Sequence, residues 1–394
     1  INSSCVVYRL ENRRALRILM LSSHFYPKID GTVRAIDLII RTLVKRGHHI
    51  TLITRKLPGT SEFEIYERAE IYRLGPSGRS MFARMLFGIN QARLAIWLLR
   101  NRRVDILQAH GFSSMIACFI LEMVFGIPIV LFFHGFPRIW SVQFRWRKRY
   151  EQFLSFPIER YLVRRASRIV VRSDLFGRIL IGTYGRGFED RIKTLPHCVD
   201  TEIFCFHKIG LGGPAILFVG SLARVYGVDL LLRAAPSVID NIPEAEFIIV
   251  GDGPLELQLK RMACELGIEE SVRFVGRIDD PIALAQYYHL SSVVVIPLYY
   301  QGYILSLVAV EALACGRPVI TTMLLEPGLE NIGVFSVKTH DPEDLAKSIL
   351  HVLRDIDLGS TVLAARKYVE ENHSQNMYGP KLENIYFELV RGRR

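Results

Sequence analysis

The amino-acid sequence predicts two α/β domains, each a Rossmann-like, doubly wound parallel sheet, facing one another across a cleft. Three observations carry this prediction. Short apolar strands alternate with helical segments along most of the chain, the order that gives parallel sheets covered by helices. One opening, an apolar strand followed by a glycine-bearing loop and a helix, occurs at residue 17 and returns at residue 215. The 394 residues also exceed what one ordinary core holds, so two domains of about 200 residues are the natural division.

The elements follow in order. After a basic lead-in over residues 1–16, Arg17-Ile18-Leu19-Met20-Leu21-Ser22 is a short apolar run of the kind that forms a buried strand. A loop with Pro27 and Gly31 comes next, and residues 36–45 then run at helical period until Gly47 stops them. Residues 50–54 read as a strand. The alternation continues with helix 83–100, strand 105–108, helix 113–125, strand 128–134, helix 146–165 and strand 168–171. Residues 205–214 hold three glycines and a proline, which marks a boundary between a domain at 17–207 and another at 208–372. Strand 215–219 leads through the loop 220–227 into helix 228–239. Strand 246–250 ends in Gly251-Asp252-Gly253-Pro254 and feeds helix 255–266. Strand 272–275, helix 282–289, strand 293–297, helix 306–315 and strand 318–322 complete the second sheet. In such sheets ligands bind beyond the carboxyl ends of the strands.

Composition narrows the class. Half of the residues are hydrophobic and 23% are charged, which excludes disordered and fibrous chains. The net charge of +11 is unevenly spread: residues 1–205 carry 33 Lys and Arg against 16 Asp and Glu, a net +17, and the remainder carries −6. A basic half suits an anionic partner such as a phospholipid surface, a lipid phosphate or nucleic acid, and a solvated basic face without a partner is the plain alternative. The six cysteines, at 5, 118, 198, 205, 264 and 315, include no C-x-x-C pair. No disulfide or zinc framework is expected from them, and a reducing cytoplasmic compartment is. Residues 115–133 approach the length of a membrane span, but Glu122 and Gly126-Ile127-Pro128 divide them into a buried helix and a buried strand. No signal peptide is recognisable, and the chain starts at Ile1.

One helix carries the most informative chemistry. Ser306 can cap it, Gly316 can end it and Pro318 prevents its resumption. Between the caps every residue is apolar except Glu311. A carboxylate on a helix apolar all round must find a partner. A sugar hydroxyl is one such partner, and an internal donor is the other. Asp279-Asp280 before Pro281 suggests a metal at first sight and is more simply the start of a helix. The run Arg145-Trp146-Arg147-Lys148-Arg149-Tyr150, extended by Arg160, Arg164, Arg165 and Arg168, suits an anionic membrane surface across 138–172, or a plain solvated face. No nucleic-acid module accompanies it, which speaks against a nucleic-acid partner. Neither half shows Gly-x-Gly-x-x-Gly after its first strand, which speaks against a dinucleotide oxidoreductase.

The stretch from Tyr303 through Glu311 to Ala312-Leu313-Ala314-Cys315-Gly316-Arg317-Pro318-Val319-Ile320 resembles the C-terminal signature of the retaining glycosyltransferases of family 4, which have the GT-B fold. The resemblance spans most of the chain, through Tyr26-Pro27, Gly31, Arg46-Gly47-His48-His49, Gln108-Ala109-His110, Phe133-His134-Gly135, Ser173, Val199-Asp200, Phe218-Val219-Gly220, Gly227-Val228-Asp229 and Val250-Gly251-Asp252-Gly253-Pro254. It implies transfer of a sugar from a nucleotide diphosphate sugar, without a metal or other cofactor, to a lipid-linked or polysaccharide acceptor at the cytoplasmic membrane face. The donor is expected mainly on the C-terminal domain, and a helix over 373–394 is expected to pack back on the N-terminal one.

By the same resemblance the candidate catalytic positions are His134, Tyr303 and Glu311, with Glu311 on the donor ribose. His134 on its own reads rather as a satisfied histidine at a strand end. The candidate donor-binding positions are Gly31, Gly220, Ser221, Arg224, Tyr226, Gly251, Gly253, Leu305, Ser306 and Glu311. The sequence departs from the pattern at three of these. Tyr303 stands where the family has a first glutamate, and Ser221 and Tyr226 stand where it has the Arg and Lys that clamp the diphosphate. Arg224, in the same loop, is the cation available there. His197-Cys198 replaces the usual Asn-Gly before Val199-Asp200. The second functional reading is therefore a catalytically silent GT-B protein that binds a nucleotide or serves as a partner scaffold.

Overall fold

The structure is a computed structural model that describes residues 14–27, 31–75, 80–134, 146–207, 214–299, 305–323, 328–337, 340–355 and 358–392. The chain forms two compact units, one of Ile1–Leu195 with Gly379–Arg394, the other of Pro196–Tyr378.

The N-terminal unit is built on eight strands among the described residues: β1 (Arg17–Ser22), β2 (His49–Arg55), β3 (Phe63–Tyr66), β4 (Ala69–Leu74), β5 (Ile106–His110), β6 (Ile129–Phe132), β7 (Arg168–Val171) and β8 (Ile192–Thr194). They lie in the order β3-β4-β2-β1-β5-β6-β7-β8, and all pairs are parallel except β3 with β4. β1 is central, with Ile18 level with Ile50 on one side and Ile106 on the other. Every residue of β5 and β6 is buried; β6 accordingly reads as a continuous apolar run, whereas β5 buries the polar Gln108 and His110. Helices α1 (Gly31–Lys45), α2 (Met81–Leu99), α3 (Phe112–Phe125), α4 (Trp146–Arg165) and α5 (Asp174–Tyr184) connect the strands. The hairpin β3–β4 was not legible from residue pattern, for a local reason. Its turn places Glu67 and Arg68 at positive φ, 49° and 66°, where the recognisable sequence would be Asn-Gly.

The C-terminal unit carries β9 (Ala215–Val219), β10 (Glu246–Val250), β11 (Val272–Gly276), β12 (Val293–Ile296), β13 (Val319–Thr321) and β14 (Val334–Ser336). Their order is β11-β10-β9-β12-β13-β14, all parallel. Helices α6 (Val228–Asn241), α7 (Glu256–Glu265), α8 (Pro281–Leu290), α9 (Leu307–Ala314), α10 (Pro342–Asp355) and α11 (Leu358–Asn372) cover it. The expected class, two doubly wound parallel-sheet units, is the class observed. Asp280 caps α8, accepting from the amides of Ile282 and Ala283 at 3.2 and 3.0 Å. Asp279 accepts from Arg277 at 2.6 Å. The acidic pair is thus the start of a helix.

The division between the units falls before Pro196, ahead of the glycine-rich stretch 205–214. Packing decides this. The Val199 amide donates to His373 at 2.9 Å, and Phe204 sits edge-on to Tyr288 at 5.9 Å inside the C-terminal core. Residues 196–207 are therefore part of the second unit.

The last helix, α12 (Gln375–Arg391), belongs from Gly379 onward to the N-terminal unit. Glu383, 4% exposed, takes a bidentate pair from Arg46 at 2.6 and 2.9 Å and one bond from His48 Nε2 at 2.9 Å. The Leu16 amide donates to His48 Nδ1, so Nε2 carries the ring hydrogen and His48 is a donor while neutral. Burial opposes ionisation of Glu383, but the bonds from His48 and Arg46 outweigh it and hold the carboxyl at about 2. This gives Arg46-Gly47-His48 a structural task. A Cβ on Gly379 would stand 2.7 Å from Arg46 Cδ and 3.1 Å from the Thr42 methyl, so α12 and α1 approach closely there.

Candidate functional site

In the C-terminal unit the sheet order reverses at β9, whose neighbours are β10 on one side and β12 on the other. This switch point is where the loops of a doubly wound sheet part to admit a ligand. The loops after β9, β10 and β12 meet there backbone to backbone. Gly220 donates to Val250 at 3.0 Å, Leu222 to Asp252 at 2.7 Å and Tyr299 to Val225 at 3.1 Å. Glycine is required by these contacts themselves. A Cβ on Gly251 would stand 1.8 Å from the Gly220 carbonyl oxygen, and one on Gly227 would stand 1.7 Å from that of Pro297. Gly253 is similarly confined by the Leu222 backbone, 2.6 Å away. Gly251 and Gly253 therefore shape the loops from within.

On this edge Ser221 and Arg224 are exposed and Tyr226 is half-buried against the core. Tyr299, which the sequence reading missed, donates to Asp229 at 2.7 Å. Burial and then Asp229 push its phenol up to about 12, while Arg233 and Arg224 pull it back, which places the Arg224 charge within electrostatic reach of this pair. Ser306 caps α9 as expected, accepting from the Ala309 amide at 3.2 Å. Leu305 packs on the core below that helix. Tyr303 lies outside the described residues.

Glu311 is 2% exposed and accepts from the Tyr288 hydroxyl at 2.8 Å. An internal donor thus stands beside it, as one of the two alternatives for this buried carboxylate required. Tyr288 takes one of the roughly four lone-pair sites of the carboxylate. It also fixes the direction in which the carboxylate points. No spacing in the sequence links residues 288 and 311, because the partner comes from the preceding helix, α8.

The N-terminal unit gathers polar groups at the carboxyl ends of β5, β6 and β7. His110 and His134 stack at 4.9 Å between ring centroids, with His134 Nε2 2.6 Å from His110 Nδ1. Arg172 Nη2 lies 3.0 Å from His134 Nδ1. On the far side of His110, Nε2 is 2.7 Å from the Gln108 amide, which in turn bonds to the Tyr386 hydroxyl of α12. Hydrogen counting orders this chain. A guanidinium only donates, so His134 Nδ1 accepts and its Nε2 carries the hydrogen given to His110 Nδ1. Burial and then Arg172 push His110 down to about 3, so it holds a single hydrogen, on Nε2. The Gln108 amide, whose Nε2 faces His110 and whose Oε1 faces the Tyr386 hydroxyl, is therefore assigned the flipped orientation, since two N–H groups would otherwise be set against one another. Both ring nitrogens of His134 are thereby engaged inside the unit, as a satisfied strand-end histidine would be. Gly31 opens α1 on the same sheet edge, after β1, and a Cβ there would meet no protein atom within 4 Å. Sequence reasoning named His134 and the run Gln108-Ala109-His110 and missed Arg172, which reaches His134, and Tyr386, which reaches Gln108 from α12.

Comparisons with known proteins bear on both units. A family described as "Glycosyltransferase Family 4" matches residues 29–203, and one described as "Glycosyl transferases group 1" matches residues 213–355. A D-inositol 3-phosphate glycosyltransferase of Nocardiopsis dassonvillei is 27% identical over 354 residues, 80% of each chain. An uncharacterised glycosyltransferase of Methanocaldococcus jannaschii is 23% identical over 94% of this chain and 98% of its own. Among solved structures, sucrose-phosphate synthase from Thermosynechococcus elongatus superposes with a TM-score of 0.79 at 20% identity, over 96% of this chain and 100% of its own. Anabaena HepE, in complex with UDP and glucose, gives 0.70 at 16% identity over 94% and 98%. At such identities the two solved structures speak for the fold.

Proposed function

Because the chain belongs to the family 4-like glycosyltransferases of GT-B fold, we propose that it moves a hexose from a nucleotide diphosphate sugar to a lipid-linked or polysaccharide acceptor with retention of anomeric configuration. The observation that carries this reading is the switch point of the C-terminal unit, where the loops after β9, β10 and β12 meet beside exposed Arg224. Glu311, aimed by Tyr288, is the ribose contact. The leaving diphosphate is met by Arg224 and by the amides that open α6 and α9, fixed positive charge placed where negative charge develops. Metal takes no part in the transfer in this reading. His134, fixed through both ring nitrogens, lines the N-terminal unit's sheet edge as a rigid wall rather than as a proton carrier.

The test is a panel of UDP-, GDP- and ADP-sugars, assayed for hydrolysis and transfer, with NMR of the product anomer. Turnover with one donor and a retained anomer is expected. Arg224→Ala should lower kcat by about 10²-fold, the lower end of what one transition-state donor supplies. No turnover with any donor sinks the enzymatic reading. A second reading then stands, a catalytically silent nucleotide-binding scaffold, favoured by Ser221 and Tyr226 where the family's cations are expected. Turnover that appears only after Tyr303→Glu, Ser221→Arg and Tyr226→Lys together supports it.

The acceptor side of the reading is an anionic lipid surface. Among the described residues no helix is long and apolar enough to cross a membrane. In the basic-aromatic helix α4 the described side chains begin at Phe156. Support comes instead from α2, where Phe82, Leu86, Ile89 and Trp97 are 75%, 49%, 41% and 61% exposed. Their spacing sets them on one helical face. Met123, Val124 and Phe125 at the end of the neighbouring α3 are exposed as well. A hollow of about 570 Å³ lies beside the stripe, lined in part by Leu74, Leu86, Asn90 and Arg93.

A further inference from the structure

At the amino ends of β9 and β12, the opposite edge from the donor loops, three side chains come together that soft divalent cations bind. Cys205 and His207 stand in the first segment of the C-terminal unit, and His289 lies in the last turn of α8. One ligand atom from each lies within 4.8 Å of the other two. Cys205 Sγ is 3.5 Å from His207 Nδ1, and the two imidazole centroids are 4.3 Å apart. Zinc bonds thiolate at about 2.3 Å and imidazole at about 2.0–2.1 Å, so tetrahedral ligands stand roughly 3.3–3.6 Å from one another. The cluster needs to close by about 1 Å to meet those values.

The surroundings fit a cation. His289 Nε2 bonds to the carbonyl of Cys205 at 2.9 Å, the outer hydrogen bond that orients metal-bound imidazoles, and this leaves its other ring nitrogen for a ligand. Fully buried Arg317 donates to the backbone carbonyls of both His207 and His289, at 2.9 and 3.1 Å, and holds the two in place. Its charge works against a dication, and the thiolate formed as Cys205 gives its proton to water offsets this. His207 is exposed, so water reaches the fourth position.

We propose that Cys205, His207 and His289 form a zinc-class site that fastens the opening segment of the C-terminal unit to the end of α8. The proposal is independent of donor chemistry, because the site is at the other end of the strands. It is tested on tag-free full-length protein stripped with a chelator and titrated with Co(II). A thiolate-to-cobalt absorption band saturating at one equivalent is expected. Cys205→Ser should abolish the band, and Cys264→Ser, at an exposed cysteine elsewhere, should keep it. His207→Ala, at an exposed position that folding tolerates, should weaken zinc binding by about tenfold or more in competition with a chromophoric chelator. Absence of the band, its survival in Cys205→Ser, or wild-type zinc affinity in His207→Ala would overturn the assignment.

Discussion

At the scale of single residues, the chain from Arg172 through His134 and His110 to Gln108 makes a definite statement about protons. Both histidines are neutral Nε2–H tautomers, and long-range 15N–1H NMR of labelled protein at pH 7 should show this for His134 and His110 alike. An Nδ1–H signal from His134 would refute the assignment. Gln108→Leu removes the Gln108 partner of His110 Nε2 and should cost about 1–3 kcal/mol, the usual penalty for a stranded buried donor. The candidate site was legible in the sequence where one residue suffices: a lone acid on an apolar helix pointed to Glu311, and Ser306 announced its cap. It was illegible where partners come from elsewhere in the chain. Tyr288 supports Glu311 across 23 residues, and Tyr386 reaches Gln108 across 278. No local pattern encodes such pairings.

Elements tell a similar story. Buried strands such as β1, β6, β9 and β12 were legible because their runs are apolar, and helices such as α1 and α9 because Gly47 and Gly316 ended theirs. The hairpin β3–β4 was not, since its strands are half-exposed and its turn uses Glu67 and Arg68. β8, three residues long and largely polar, offered too little periodicity. The docking of α12 rests on Glu383 and yields a pH prediction. Its carboxyl falls from the ordinary 4.5 to about 2 in the folded unit, so the stabilisation is fully present above pH 4.5 and is lost as pH falls through about 2. The shift corresponds to about 3 kcal/mol. Glu383→Gln should therefore be less stable than wild type by about that amount in urea unfolding at pH 7, and the gap should close between pH 4.5 and 2. A gap that persists at pH 2 would show that packing, not charge, holds the helix.

At the scale of the whole molecule, charge and apolar surface fall in the same half. The first 205 residues carry +17, and the exposed stripe of α2 lies among them, with Arg93 in the same helix and Arg100, Arg102 and Arg103 directly after it in the chain. Vesicle flotation should recover the protein with anionic phosphatidylglycerol membranes and far less with neutral phosphatidylcholine ones. Phe82→Ser with Trp97→Ser should weaken recovery about tenfold or more, and added salt should weaken it further. Equal flotation with both lipids would remove the electrostatic part of the idea. The basic half was legible by counting charges, but the stripe was not, because α2 carries apolar residues on both its outward and its buried face and only the fold tells them apart. The pairing of Glu383 with Arg46 and His48, 337 and 335 residues earlier, reaches further than stability. A ribosome delivers the partners of that cluster at opposite ends of the job. The unit translated first therefore receives its last helix only after the second unit has been synthesised.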